Sequence, residues 1–203
     1  MIGSRMNNPI GGTAQSVNGH NLETKHGYDQ VKDQMHRYRW KNRSHHLGGR
    51  LWRYTYLPYY PGLVTYCGIH DQQILTGWMS GCFLFRYIKG GRMYAAHVGT
   101  HETDEEKSDN AKRIWKNFAD GTDVTDIWGF SPLSTVTDPL IKQAYDSATK
   151  LMIAGLWEPN GMMRTVIFGS QGLLATTVTL LGVVNPGLRK WSEIRNGPKF
   201  AYL

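Results

Sequence analysis

Cysteine is scarce in this chain: Cys67 and Cys82 are the only two among 203 residues. Two thiols do not make a disulfide framework. Cys67-Gly68-Ile69-His70 offers one sulfur and one imidazole, too few ligands for a zinc site. The eight histidines fall in no HExxH pattern and there is no CxxC, so neither a metal nor another cofactor is expected. Also missing is any run of eighteen apolar residues, which predicts no membrane span. The longest apolar stretch, Gly172 to Val184, is interrupted by Thr176, Thr177, Thr179 and Gly182 and reads as a buried strand. Met1 to His20 is polar, rich in Asn and Gly, and lacks the apolar middle of a secretory signal. Export would then require a dedicated secretion machine. Residues 1–22 show no periodicity and are expected to be disordered, leaving residues 23–203 as a single domain.

Apolar mass is ample by contrast. The chain is 40% hydrophobic and 12% aromatic, enough for a core without a staple. Its formal charge is +7, and its isoelectric point is near 9.4. Part of the excess sits in His36-Arg37-Tyr38-Arg39-Trp40-Lys41-Asn42-Arg43. Arginines interleaved with aromatics can grip nucleic acid through phosphates and stacked bases. No nucleic-acid motif accompanies them, so a basic surface that steers an acidic partner is the preferred reading.

Hydrophobic periodicity supplies the elements. Tyr28, Val31, Met35 and Tyr38 fall three or four apart and predict a short amphipathic helix. Strands are predicted over Arg50–Leu57, Leu63–Tyr66, Gln73–Thr76, Cys82–Ile88, Arg92–Val98, Met163–Phe168 and Leu173–Val184. Gly90-Gly91 between two of these is the two-residue loop that tight hairpins prefer. Thr103 and Glu106 form a capping-box pattern before a helix whose apolar stripe is Ala111, Ile114, Trp115 and Phe118, and Gly121 ends it. A second helix is predicted from Asp138-Pro139, with Leu140, Ile141, Ala144, Ala148, Leu151 and Met152 on its buried face. The order strands, helices, strands points to an α+β domain, a central mixed or antiparallel sheet or sandwich flanked by helices.

The hairpin carries the candidate chemistry. A Gly90-Gly91 loop pairs Lys89 with Arg92, hence Leu84 with His97, and sets Cys82 opposite Gly99. Cys82 and His97 then share a face as diagonal neighbours, about 7–8 Å apart at the backbone. A thiolate is the nucleophile in cysteine chemistry, and a nearby imidazole can take the thiol's proton. Backbone N–H groups around Ser80, Gly81 and Cys82 are candidates to face a developing oxyanion. His101 lies on the same face and could replace His97. A cysteine at a strand start also serves as a small buried hydrophobe. Arg86 and Tyr94 read as sheet-face residues.

Met79-Ser80-Gly81-Cys82 resembles the Leu-Ser-Gly-Cys motif of the cytotoxic necrotizing factors and of Burkholderia lethal factor, with Met79 in place of Leu. The fifteen residues from Cys82 to His97 match the necrotizing-factor spacing. The chemoreceptor glutamine deamidases place a Thr six residues before the Cys, then a Gly-Gly turn leading to a His, and here Thr76, Cys82, Gly90-Gly91 and His97 follow in that order. The resemblance spans Ile74 to Val98. It implies a deamidase-toxin-like fold and a protein-glutamine deamidase with Cys82 as nucleophile and His97 as base. Thr76 would orient the histidine or the substrate amide. It further implies a secreted virulence effector acting on a glutamine of a host protein in the target-cell cytosol; a monomer is expected. Two readings compete with it. One is a cysteine peptidase or amidase using the same dyad, although such enzymes commonly set the Cys at a helix N-terminus. The other is a non-enzymatic module that binds through residues 37–43.

Overall fold

The computed structural model describes residues 13–15, 36–37, 42–47, 50–77, 79, 81–135, 150–170, 177–198 and 200. The tight hairpin forms as its glycines dictate. Strand β7 (Phe83–Lys89) turns through Gly90 and Gly91, at φ 56 and 72, into β8 (Arg92–Val98). Positive φ at both loop positions gives the turn a twist that matches the flanking strands. The pairing is the expected one, Lys89 with Arg92 and Leu84 with His97.

Two sheets are built around this hairpin. The hairpin belongs to a six-stranded sheet that also contains β2 (His36–Arg37), β5 (Val64–Gly68), β9 (Val124–Phe130) and β13 (Arg189–Lys190), in the order β13-β9-β7-β8-β5-β2. The second sheet has seven strands: β1 (Thr13–Gln15), β3 (Asn42–Leu47), β4 (Arg50–Tyr56), β6 (Gln73–Gly77), β10 (Lys150–Trp157), β11 (Met163–Ser170) and β12 (Thr177–Val184). Its order is β1-β12-β11-β10-β6-β4-β3. Both sheets are mixed and open. The β4–β6 and β2–β5 pairs are parallel and the other pairs antiparallel.

Alternation along β7 assigns its two faces to two cores. Phe83, Phe85 and Tyr87 point outward and are covered by helix α1 (Glu105–Ala119), the short helix α2 (Trp191–Ile194) and Phe200. Trp115 of α1 stacks on Phe85 with ring centroids 4.4 Å apart. Each such fully buried ring contributes about 1.5–3 kcal/mol. Leu84, with Cys82 just before the strand, points the other way into the space between the sheets. There it joins Ile74, Ile153 and Trp157 of the seven-stranded sheet, with Leu57 just beyond β4. Trp157 Nε1 donates across that space to the Phe85 carbonyl at 3.1 Å. The result is the predicted α+β class, a sheet-dominated sandwich with α1 on one outer face.

Several elements depart from the sequence reading. Leu151 and Met152, expected on a second helix, lie in β10 instead. The run Lys-Leu-Met-Ile-Ala-Gly-Leu-Trp lies between β6 and β11 in the sheet, and an apolar run of that length cannot be assigned to helix or strand by periodicity. The rest of that predicted helix, residues 138–149, lies outside the described residues. His36 and Arg37, expected on a helix, form β2 against β5; residues 28–35 and 38 lie outside the described set. Within the leading stretch, Thr13–Gln15 pairs with β12. The cap of α1 is Asp104 rather than Thr103. The Asp104 carboxylate accepts from Lys107 N at 3.0 Å, while Thr103 N donates to His101 Nδ1.

Candidate functional site

Thr76 and His97 meet between the two sheets. The Leu84–His97 pair of the six-stranded sheet lies over the Thr76–Gly155 pair of the seven-stranded one. Gly155 makes the approach possible, since a β-carbon there would run into the Leu84 side chain. Thr76 reaches across the gap, and its Oγ1 sits 2.7 Å from His97 Nδ1. Both side chains are buried, His97 at 1% exposure. Its other ring nitrogen, Nε2, is buried and has no hydrogen-bond partner among the described residues. An unpaired buried polar atom costs about 1–3 kcal/mol, so its persistence calls for a reason.

A loop caps the imidazole. After β4 the chain runs through Pro58 to Gly62 and docks on the end of β8. Gly62 N donates to Gly99 O at 2.7 Å, and Gly99 N to Leu63 O at 2.9 Å. Only glycine fits at position 99, because a side chain would collide with the Tyr60 carbonyl. Thr65 Oγ1 anchors the loop by donating to Pro58 O. This docking lays the Tyr59 ring over His97, with centroids 5.3 Å apart and planes at 28°. The Tyr59 hydroxyl donates to Thr100 O at 2.6 Å.

Thr100 links this cap to the thiol. Its Oγ1 donates to Cys82 Sγ at 3.8 Å, and the thiol lies 4.0 Å from Thr100 O. Gly81 beside it leaves room, since a β-carbon there would stand 3.3 Å from Thr100 Oγ1. No hydrogen bond joins Cys82 Sγ to His97 among the described residues. Thr76, His97, Tyr59, Thr100 and Cys82 thus form one connected shell, with the thiol at one end and the imidazole at its centre.

Burial sets the charge states. It pushes the Cys82 thiol up to about 11, and hydrogen bonds from Thr100 and from the Gly81 and Cys82 backbone offset only part of that. It pulls His97 down to about 3. The resting pair is therefore a neutral thiol and a neutral imidazole, not the thiolate–imidazolium that a lowered thiol pKa would give. Cys67 lies elsewhere between the sheets, opposite Ala95, and burial pushes it up to about 12.

Other predicted residues sort as follows. Ser80 lies outside the described residues, as does Trp78. Gly81 is exposed next to the thiol. Met79 is buried and its N–H donates to Ile153 O. His101 serves the start of α1. Its Nδ1 accepts from Thr103 N, and its backbone N–H donates to Ser108 Oγ. Tyr59 and Thr100 escaped the sequence reading. The hairpin register already placed Thr100 one step beyond Gly99, opposite the thiol's end of β7, whereas nothing in the local sequence signals Tyr59. No group of three or more His, Cys, Asp or Glu converges on a metal-sized site among the described residues. No helix there is long and apolar enough to cross a membrane.

No protein-family model matches the chain, and no curated protein matches it. Among solved structures it is similar to the C-terminal domain of CNFy from Yersinia pseudotuberculosis, at 9% identity and a TM-score of 0.30, over 68% of this chain and 62% of that one. The chain thus covers less than two thirds of that structure's length.

Proposed function

We propose that the chain is a protein-glutamine deamidase of the toxin or effector type, with Cys82 as nucleophile, His97 as base and Thr76 as the residue that holds the imidazole. One observation carries the reading: a hydrogen bond of 2.7 Å fixes His97 Nδ1 from the opposite sheet, while Nε2 stays buried and unpartnered. With Nδ1–H donating to Thr76 Oγ1, Nε2 keeps its lone pair and is the proton acceptor. Most buried side-chain polar atoms are satisfied, so the unpaired Nε2 supports a chemical role for this ring.

The neutral resting pair sets the order of events. Substrate binding moves the thiol from Thr100 toward His97 Nε2. The proton passes to Nε2 as Sγ attacks the carboxamide carbon, rather than beforehand. The backbone N–H groups of Gly81 and Cys82 stabilise the oxyanion. His97 returns its proton to the departing nitrogen as the C–N bond breaks, releasing ammonia and leaving a thioester. Water, losing a proton to His97, then attacks the thioester. The S–C bond breaks, the thiol is reprotonated, and glutamate remains. The substrate is a glutamine on a host protein, which implies delivery by a dedicated secretion system.

The test is incubation of the full chain with a target-cell lysate, scored for ammonia and for peptides heavier by about one dalton at a former glutamine. Cys82→Ala and His97→Gln are expected to abolish both signals while leaving the fold intact, and His101→Ala to leave them unchanged. Activity that survives Cys82→Ala refutes the reading. Chain cleavage in place of the mass gain would favour a peptidase.

A further inference from the structure

A cleft of about 570 Å³ opens on the outer face of the six-stranded sheet, near the tip of the β7–β8 hairpin. Tyr66, Tyr87, Tyr94 and Phe118 wall it, and Lys89 and Arg92 stand at its edge. Strand alternation places it on the face of β7 opposite Cys82 and Leu84, so it is separate from the thiol and the imidazole. Its size falls in the range of small-molecule sites.

The lining is unusual in its polar groups. Tyr87 and Tyr94 stack with centroids 5.2 Å apart, and Tyr66 meets Tyr94 edge to face at 6.2 Å. None of the three hydroxyls makes a hydrogen bond to another described residue. Tyr87 is the telling member: only 1% exposed, it lines the cleft with its polar group unpaired. Burial, reinforced by the neighbouring Tyr66 and Tyr94 phenols, holds its ionisation well above the usual range. It is a hydrogen-bond donor at every physiological pH. Lys89 is partly neutralised by Asp123 at 2.9 Å and lies over the Phe118 ring at 4.9 Å. Arg92 has no ion-pair partner among the described residues. No carboxylate is among the lining residues.

Unpaired phenolic donors beside an uncommitted guanidinium are what an oxyanion needs, and aromatic walls around a volume far larger than a bare anion call for an apolar body. We propose that this cleft binds an organic oxyanion, a carboxylate or phosphate carried on an apolar or aromatic group. Arg92 supplies the charge, and the tyrosine hydroxyls supply directional hydrogen bonds. The site is independent of the deamidase reading and survives its failure.

The experiment is calorimetric titration of the full chain with phenyl phosphate and with benzoate, using phenol and inorganic phosphate as controls. At least one aromatic anion is expected to bind saturably, with each control weaker by about tenfold or more. Whichever anion binds better identifies the source as phosphate or carboxylate. Arg92→Ala is expected to weaken binding by about tenfold. Tyr87→Phe is expected to weaken it by about threefold or more without lowering the melting temperature, since the lost hydroxyl had no protein partner. Equal binding of phenol, no saturation by either anion at millimolar concentration, or affinity indifferent to both substitutions would overturn the proposal.

Discussion

Alkylation of Cys82 by iodoacetamide tests the charge state of the resting thiol directly. With the thiol at about 11, roughly one molecule in 10⁴ carries thiolate at pH 7, against about one in 10² for a thiol at the ordinary 9.0. The more basic thiolate is the better nucleophile, which recovers about one decade of the two. Cys82 is therefore expected to react about tenfold more slowly than free cysteine at pH 7. Cys67, at about 12, should be slower again. The assay is timed quenching followed by peptide mass mapping of both cysteines from pH 6 to pH 10. The Cys82 rate should climb throughout this window without a plateau. His97→Gln should leave the rate unaltered, because the imidazole holds no thiol proton in the resting state. A plateau near neutral pH, or labelling faster than free cysteine, would mean that a thiolate–imidazolium pair pre-exists and that burial does not keep the two groups neutral.

Two further outcomes concern the imidazole. Thr76→Val leaves His97 Nδ1 buried without a partner and is expected to cost about 1–3 kcal/mol in urea unfolding, with most of the loss restored by Thr76→Ser. A Val variant as stable as the parent would remove Thr76 from the site. Acid stability follows from the lowered His97 pKa. The unfolded chain protonates this residue near 6.5 and the folded chain only near 3. Its contribution is complete above about pH 6.5 and declines as pH falls toward 3, by up to about a factor of ten in the folding constant per pH unit. His97→Gln should flatten that part of the stability–pH curve, and an unchanged curve would contradict the burial of the ring.

Legibility in the sequence followed the range of the interactions involved. The β7–β8 hairpin was readable because Gly90-Gly91 fixes both turn and register locally, and with them the face shared by Cys82 and His97. Helix α1 was readable from its stripe, though its cap moved by one residue because Thr103 and Asp104 are both competent N-caps. Leu151 and Met152 were misread as helical, since β10 is an apolar run whose residues 153–157 are buried on both faces and show no alternation. Strand β9 was missed, its pattern broken by a bulge against β7 between Arg86 and Ile88. At the site, Thr76 came only from resemblance, and its contact with His97 depends on how two sheets stack. Tyr59 arrives on a loop whose position is dictated by Gly99, some forty residues away. The desolvation that keeps Cys82 neutral is likewise a property of the assembled interior.

The Thr76–His97 bond has its donor and acceptor rooted in different layers, so it acts as a gauge of the spacing between them. A substitution at Gly155 would press directly on that spacing, because a β-carbon there meets the Leu84 side chain between the layers. The proposed turnover should then falter in any variant whose circular dichroism still matches the parent.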